Sequence, residues 1–192
     1  MYSGLEICFI TGNKHKIEEV KLIAEKYGVK IITCPIKKLE IQTNNLLEIA
    51  KIAAFNAYIQ LNKPVLVEDA GLFIEVLNGF PGPYSSYVYR TIGCNGILRL
   101  MENMENRKAY FRSAAALIYE PYIITAETSV EGYIAYKPRG DKGFGFDPIF
   151  IPLNSNKTFA EMSIEEKNKY SHRAKTMEKI FSKLISYIKD QR

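Results

Sequence analysis

The chain has 192 residues, of which 47% are hydrophobic and 24% charged, and its formal net charge is +5. This length suits one domain spanning residues 1–192, with enough buried apolar surface to form a core without disulfides. No apolar run approaches the ~20 residues that a membrane helix needs, and the N-terminus shows no basic leader or small-residue cleavage site, so we expect a cytoplasmic protein away from membranes. The lysines are spread out without a basic run, which argues against nucleic acid as a partner.

The three cysteines, Cys8, Cys34 and Cys94, are far apart in sequence, and the chain has only two histidines. A zinc site would need clustered Cys and His ligands. We therefore expect the cysteines to be small buried hydrophobic residues in a reducing compartment.

The first third of the chain alternates strand-like and helix-like patterns. Leu5–Thr11 is apolar and β-prone, and after Gly12-Asn13 the apolar residues recur at helical spacing. Val29–Cys34 is predicted to be a second strand. Leu46–Leu61 is predicted to be a helix because its alanines and leucines share one face.

The middle of the chain contains glycine-punctuated segments. Val65–Glu68 is predicted to be a short strand, and Leu72–Leu77 another, with Gly71 breaking the pattern between them. A turn rich in glycine and proline follows at 78–83. A helical stretch from about Ser85 to Met104 is expected, interrupted near Gly93 and Gly96.

The last part of the chain combines long strands with a terminal helix. Ala109–Tyr119 and Ile123–Tyr136 are predicted to form a hairpin, followed by a glycine-rich loop at Gly140–Gly145. Ser163–Glu166 has the form of a capping box, and Ser171–Ile188 carries the clearest amphipathic helix pattern. The order of elements predicts an α/β fold in which helices flank a mixed sheet.

The first candidate for chemistry lies where the first strand gives way to the first helix. Its residues are Thr11, Gly12, Asn13, Lys14, His15 and Lys16. Backbone N–H groups at a helix N-terminus favour a phosphate, and Lys16 adds a positive charge. An ordinary β–α turn with solvated lysines explains the same pattern.

A second candidate is Glu68-Asp69-Ala70-Gly71 at the end of a buried strand. In open α/β sheets ligands gather at the carboxyl ends of strands, where carboxylates hold Mg²⁺ or accept a proton from water. Two solvated acids at a strand end are the plainer alternative.

Two later segments have the composition of a base-binding site. Phe144 and Phe146 lie in a frame with Gly145 and Asp147, which suggests a stacking surface and a hydrogen-bond acceptor; a tight turn with both rings in the core is the alternative. Lys167 and the run Ser171-His172-Arg173 could donate to a base, or Ser171 could simply cap a helix.

Together these segments resemble the inosine triphosphate pyrophosphatase family, the pyrophosphatases of non-canonical purine nucleoside triphosphates. The resemblance covers nearly the whole chain. It is carried, in the family's order, by Thr11-Gly12-Asn13-x-x-Lys16, Val67-Glu68-Asp69-x-Gly71-Leu72, Phe80-Pro81-Gly82-x-Tyr84-Ser85, Gly143-Phe144-Gly145-Phe146-Asp147-Pro148 and Ser171-His172-Arg173.

The resemblance implies an elongated, two-lobed α/β fold with the active site in a groove between the lobes, and a homodimer. It implies hydrolysis of ITP, dITP and XTP to the monophosphate and pyrophosphate, which cleanses the nucleotide pool, with Mg²⁺ as cofactor.

The resemblance also implies roles for single residues. Asn13, Lys16 and Lys51 would hold the triphosphate, with Glu40 and Asp69 at the Mg²⁺. Asp69 would activate water, supported by Glu68, and the resemblance implies catalytic roles for both carboxylates and Lys16. Phe144 and Phe146 would flank the base, and its edge would be read by Asp147, Lys167, His172 and Arg173.

Base selectivity would depend on the purine 6-position, where hypoxanthine and xanthine carry an acceptor and adenine a donor. Three other functions remain open at this point. They are a related pyrophosphatase for modified pyrimidine nucleotides, a nucleotide- or RNA-binding module without turnover, and a purely structural dimer.

Overall fold

The computed structural model describes residues 5–190 as a mixed α/β fold, which confirms the predicted fold class. The strands are β1 (Leu5–Phe9), β2 (Val29–Thr33), β3 (Val65–Ile74), β4 (Pro81–Gly82), β5 (Lys108–Tyr119), β6 (Tyr122–Ile134) and β7 (Phe150–Pro152). The helices are α1 (Lys14–Glu25), α2 (Leu46–Leu61), α3 (Ser85–Thr91), α4 (Gly93–Leu100), α5 (Ile164–Tyr170) and α6 (His172–Asp190).

The strands form one mixed sheet in the order β2-β1-β3-β5-β6-β7, with β4 paired to β3. β1 runs parallel to both β2 and β3, with Cys8 opposite Ile32 on one side and Val65 on the other. β4 and β7 pair antiparallel with β3 and β6. The parallel part arises because α1 and α2 provide the crossovers that parallel strands require.

The described residues divide into two compact units. Unit 1 contains the residues up to Asp69, Ser113–Thr128 and the residues from Arg173 onward; unit 2 contains Ala70–Arg112 and Ser129–His172. The chain passes from one unit to the other within β3, β5 and β6.

The sheet of unit 1 is covered on both faces. Ile7 and Phe9 of β1 belong to a core with side chains of α1 and α6, whereas Cys8 and Ile10 belong to a second core with the alanines of α2. A strand that is buried on both faces has no side chains that face solvent. This explains why Leu5–Thr11 is largely apolar throughout instead of alternating between apolar and polar residues. Unit 2 has its own core, which includes Leu72, Ile97, Phe111, Phe150 and Phe159.

The prediction that Gly71 separates two strands is wrong, because β3 runs without a break from Val65 to Ile74. A Cβ at Gly71 would lie 2.2 Å from the carbonyl oxygen of Gly82, since β4 pairs there with β3. The glycine therefore permits a close approach of backbone within a continuous strand. The expected interruption of the middle helix occurs at Gly93, which has a φ of +62°, whereas Gly96 lies inside α4.

The expectation that the cysteines are buried is confirmed for Cys8 only, because Cys34 and Cys94 are partly exposed. Cys8 is buried, but its sulfur is bonded to that of Cys34. The two residues meet because β1 and β2 are parallel neighbours, which brings their Cα atoms to 5.9 Å across 26 residues of sequence. No helix in the stretch from Leu5 to Asp190 is long and apolar enough to cross a membrane.

Candidate active site

The connection between β1 and α1 is organised by Asn13. Asn13 is the N-cap of α1, and its Oδ1 accepts hydrogen bonds from the backbone N–H groups of His15 (3.0 Å) and Lys16 (3.3 Å). Thr11 Oγ1 accepts from the N–H of Asn13, and a Cβ at Gly12 would meet no atom within 4 Å. The first turn of α1 contains no acidic residue, so the positive end of the helix dipole is not neutralised there.

The predicted cations of this turn differ in their surroundings. Lys14 and His15 are exposed, and His15 Nδ1 lies 4.0 Å from Glu18 Oε2. Lys16 points instead to the middle of β3, where its Nζ lies 2.8 Å from Glu68 Oε2.

Glu68 lies at the centre of a buried charge network in unit 1. Its Oε1 accepts from Ser113 Oγ at 2.7 Å and lies 3.2 Å from Arg173 Nε, while its Oε2 meets Lys16. Arg173 Nη1 also pairs with Glu19 Oε2 at 2.5 Å. All of these side chains except Lys16 are nearly inaccessible, so the two acids compensate the two cations away from solvent.

The network sets the ionisation of its members. Burial by itself would raise the pKa of Glu68, but the charges of Arg173 and Lys16 and the hydrogen bonds hold the pKa well below its usual value. Burial opposes the charge of Arg173, yet Glu68 and Glu19 raise the pKa of its guanidinium further. Glu68 is therefore a fixed anion at neutral pH.

Asp69 follows Glu68 on β3 and has different partners. Neighbouring side chains of a strand point to opposite faces, and Asp69 Oδ1 lies 3.1 Å from Nζ of Lys38, which belongs to the segment between β2 and α2. Both of these side chains are 16% exposed. Ala70 is half-buried, and Glu40 and Lys51 are exposed.

Within residues 5–190, no group of three or more His, Cys, Asp or Glu side chains is placed to hold a metal ion. The carboxylates nevertheless suit Mg²⁺. This hard cation keeps several waters and needs only one or two protein carboxylates together with substrate phosphates. Asp69 offers such a carboxylate, because its side chain is partly exposed and Glu68 is committed to its own network.

The second group of predicted residues lies in unit 2 around Asp147. Its Oδ2 accepts from the N–H of Phe144 at 2.8 Å and lies 2.6 Å from Nζ of buried Lys167. The ammonium of Lys167 stands over the ring of Phe144, 4.9 Å from its centroid. Gly143 has a φ of +70°, and a Cβ there would collide with Asp147 Oδ2, so the turn requires glycine.

The two aromatic residues of this turn differ in exposure. Phe144 is half-buried, whereas Phe146 is 3% exposed and belongs to the core of unit 2. The exposed Tyr89 packs edge-on against the Phe146 ring. Gly145, with a φ of +61°, accepts a 3.5 Å hydrogen bond from Cys94 Sγ. Burial and the charge of Asp147 raise the pKa of Cys94 to about 11, so this thiol is neutral and no nucleophile.

His172 and Arg173 are adjacent in sequence but belong to different surroundings. The His172 ring is buried and stacks on Phe111, with ring centroids 4.6 Å apart and planes at 7°. The Arg173 side chain enters the network of Glu68 and Glu19. The structure thus groups Lys16, Glu68 and Arg173 in unit 1, and Phe144, Asp147 and Lys167 in unit 2.

Four residues in these groups were missed by the sequence analysis: Glu19, Lys38, Phe111 and Ser113. Glu19 gave a weak signal, because it lies one turn after Lys16 on the same face of α1. Ser113 gave a weak signal as well, because it is a polar residue beside Arg112 in an otherwise apolar stretch. Lys38 and Phe111 gave no signal in the sequence, since their partners are distant along the chain.

Comparison with known proteins adds to this geometry. A sequence model of the Ham1 family matches residues 7–183. The chain is 51% identical to the dITP/XTP pyrophosphatase of Hyperthermus butylicus, covering 94% of this chain and 95% of that one. It is 50% identical to the dITP/XTP pyrophosphatase of Ignicoccus hospitalis, covering 91% and 94%.

Two solved structures have the same fold. A HAM1 protein from Coxiella burnetii matches with a TM-score of 0.83 and 31% identity, covering 95% of this chain and 99% of that one. The Staphylococcus aureus Ham1 protein matches with a TM-score of 0.78 and 27% identity, covering 97% and 100%.

Proposed function

The chain belongs to the Ham1 family, and we propose that it hydrolyses ITP, dITP and XTP to the nucleoside monophosphate and pyrophosphate. The observation that carries this proposal is the 43–51% identity, over nearly complete chains, to relatives named dITP/XTP pyrophosphatase. The protein is then a hydrolase that removes deaminated purine nucleotides from the pool.

The phosphate end of the substrate is assigned to unit 1. The first turn of α1 carries no acidic residue, so the positive end of its dipole remains available to favour an anion. The ammonium of Lys16 is oriented by Glu68 and remains 15% exposed, so it can donate to a phosphate oxygen while it stays paired. Lys51 contributes a further exposed cation on α2.

The cofactor is proposed to be Mg²⁺, held by Asp69 with Glu40. Such an ion neutralises charge on the phosphate oxygens and positions water. Asp69 is also the residue proposed to accept the proton of the attacking water, because its carboxylate is the accessible one of the two neighbouring acids. Glu68 is ionised and buried, so its proposed role is to orient Lys16 and not to transfer a proton.

The base end is assigned to unit 2. Phe144 offers a half-buried ring for stacking, and the Asp147–Lys167 pair combines an acceptor with a donor. A 6-oxopurine carries a carbonyl acceptor beside a ring N–H donor, which complements that pair. Adenine presents a donor and a bare nitrogen instead, and a mismatch at a buried polar site discriminates by roughly 10⁴. Phe146, His172 and Arg173 remain predicted contacts of the base.

Three further proposals accompany this function. The two compact units belong to one domain, since the chain passes between them within β3, β5 and β6. The protein is a homodimer, and it works in the cytoplasm, where nucleoside triphosphates are made and used.

The test is pyrophosphate release from ITP, XTP, ATP and GTP, each with Mg²⁺ and with EDTA. We expect metal-dependent release from ITP and XTP and little from ATP, with pyrophosphate and not orthophosphate as product. Guanine shares the 6-carbonyl and the ring N–H, so little release from GTP would require a further contact that excludes its 2-amino group. Release from none of them, or at equal rates from all, contradicts the proposal.

A further inference from the structure

The proposed mechanism depends most on the carboxylate of Asp69, and Lys38 forms an ion pair with it. This lysine lies in the segment between β2 and α2, 31 residues before Asp69, and its Nζ is 3.1 Å from Asp69 Oδ1. Asp69 is thereby neutralised by a lysine from outside its own strand.

Comparison of Asp69 with its neighbour Glu68 on β3 shows what distinguishes the Asp69–Lys38 ion pair. Glu68 is fully buried and meets Lys16, Arg173 and Ser113 together, so losing one partner would leave a charge stranded away from water. Asp69 and Lys38 are both partly exposed and meet each other alone among the described residues. This ion pair can open at little cost, because water can solvate both groups.

Lys38 and a divalent cation cannot both use Asp69 without interference. A cation bound to that carboxylate at about 2.1 Å would lie within about 5 Å of the ammonium, where like charges repel strongly in a partly buried site. Glu40 lies two residues after Lys38 in the same segment and is exposed. The segment therefore carries a cation that satisfies Asp69 and, beside it, a carboxylate suited to share a metal with Asp69.

We propose that Lys38 is a positioning residue that serves as the internal counter-ion of Asp69 and is displaced when a divalent cation binds. Before binding, the ammonium holds the carboxylate in place. On binding, the cation takes over the charge of Asp69, and Lys38 moves to solvent or to the anionic substrate. This inference rests on the proposed role of Asp69, but its test needs no nucleotide.

The test measures Mn²⁺ binding to the nucleotide-free protein, following free Mn²⁺ by electron paramagnetic resonance. Lys38→Met should bind Mn²⁺ about tenfold more tightly than the unaltered protein, because a competing charge-assisted hydrogen bond is gone. Lys38→Arg keeps the competing charge and should bind within about twofold of the unaltered protein.

Lys37→Met is the matched control. Lys37 is the exposed neighbour, so this variant changes the net charge equally without touching the Asp69 pair. It should bind Mn²⁺ within about twofold of the unaltered protein, because an exposed charge is screened. Circular dichroism checks that each variant is folded.

Equal affinity of Lys38→Met and Lys37→Met, weaker binding by Lys38→Met, or no detectable binding by either would overturn the inference. Pyrophosphate release from ITP by the same preparations separates this result from the proposed function. Turnover without the difference in Mn²⁺ affinity refutes the counter-ion role alone, and the difference without turnover refutes the pyrophosphatase alone.

Discussion

Replacing Arg173 with methionine tests the charge network in unit 1. The substitution keeps an unbranched apolar stem but removes the cation that lies 2.5 Å from Glu19 and 3.2 Å from Glu68. Both carboxylates are almost inaccessible to solvent, and removing one partner of a buried pair costs about 3–5 kcal/mol. In a protein of this size that corresponds to a fall in Tm of roughly 6–20 °C.

The loss should depend on pH with a definite sign. In the unaltered protein the pKa of Glu68 is depressed, so this residue stabilises the fold above the unfolded pKa of about 4.3, and the stabilisation disappears as the pH falls through the folded pKa. Without Arg173, the burial that raises the Glu68 pKa is opposed only by Lys16 and Ser113, so we expect that pKa to rise above its unfolded value and the variant to lose stability as the pH rises. Arg173→Met should therefore be destabilised more at pH 7.5 than at pH 5.0.

Urea unfolding followed by circular dichroism at both pH values measures these differences. Lys175→Met is the control, because it removes an exposed cation from the same helix and should stay within about 0.5 kcal/mol of the unaltered protein. Adding Glu19→Gln to Arg173→Met should recover part of the loss, since one stranded charge is removed. A loss below about 1 kcal/mol at pH 7.5, or equal losses at both pH values, would refute the reasoning.

Four further substitutions separate catalysis, base binding, core packing and backbone fit. Asp69→Asn should leave the unfolding curve unchanged but lower kcat for ITP at least about a hundredfold, because the amide cannot accept the water proton; normal turnover would contradict its role. Phe144→Ala should raise KM for ITP about tenfold with the fold intact, whereas Phe146→Ala should cost about 3–5 kcal/mol of stability through a core cavity. The reverse pattern would exchange their roles. Gly71→Ala should lower Tm, because its Cβ meets the Gly82 backbone; an unchanged Tm would show that β4 can shift.

Local patterns were enough to predict much of the fold. Leu46–Leu61 was predicted with the bounds that the structure has, because its alanines and leucines share one face. The structure adds the Asn45 cap at its start and Asn62 in the left-handed conformation at its end. Gly71 misled the prediction, since a glycine that permits a close backbone approach looks the same in sequence as one that ends a strand.

The partners of site residues could not be predicted in the same way. Motifs identified Glu68 and Asp69, but the pairing of Asp69 with Lys38 spans 31 residues and that of Glu19 with Arg173 spans 154. No periodicity connects such positions, because tertiary packing alone brings them together. The disulfide between Cys8 and Cys34 was missed for the same reason, since parallel pairing of β1 and β2 unites them.

The placement of Glu68 and Asp69 on opposite faces of β3 makes the site sensitive to deletions as well as to substitutions. A slip of one residue along a strand exchanges its two faces. Deleting one residue between Val65 and Glu68 would therefore aim Asp69 at Lys16 and Arg173 and put Glu68 in the buried, apolar position of Val67. Such a protein would keep every acid and every cation of the site and still place Ala70 where Lys38 now meets Asp69. The spacing of this strand is thus as much a part of the active site as the residues that it carries.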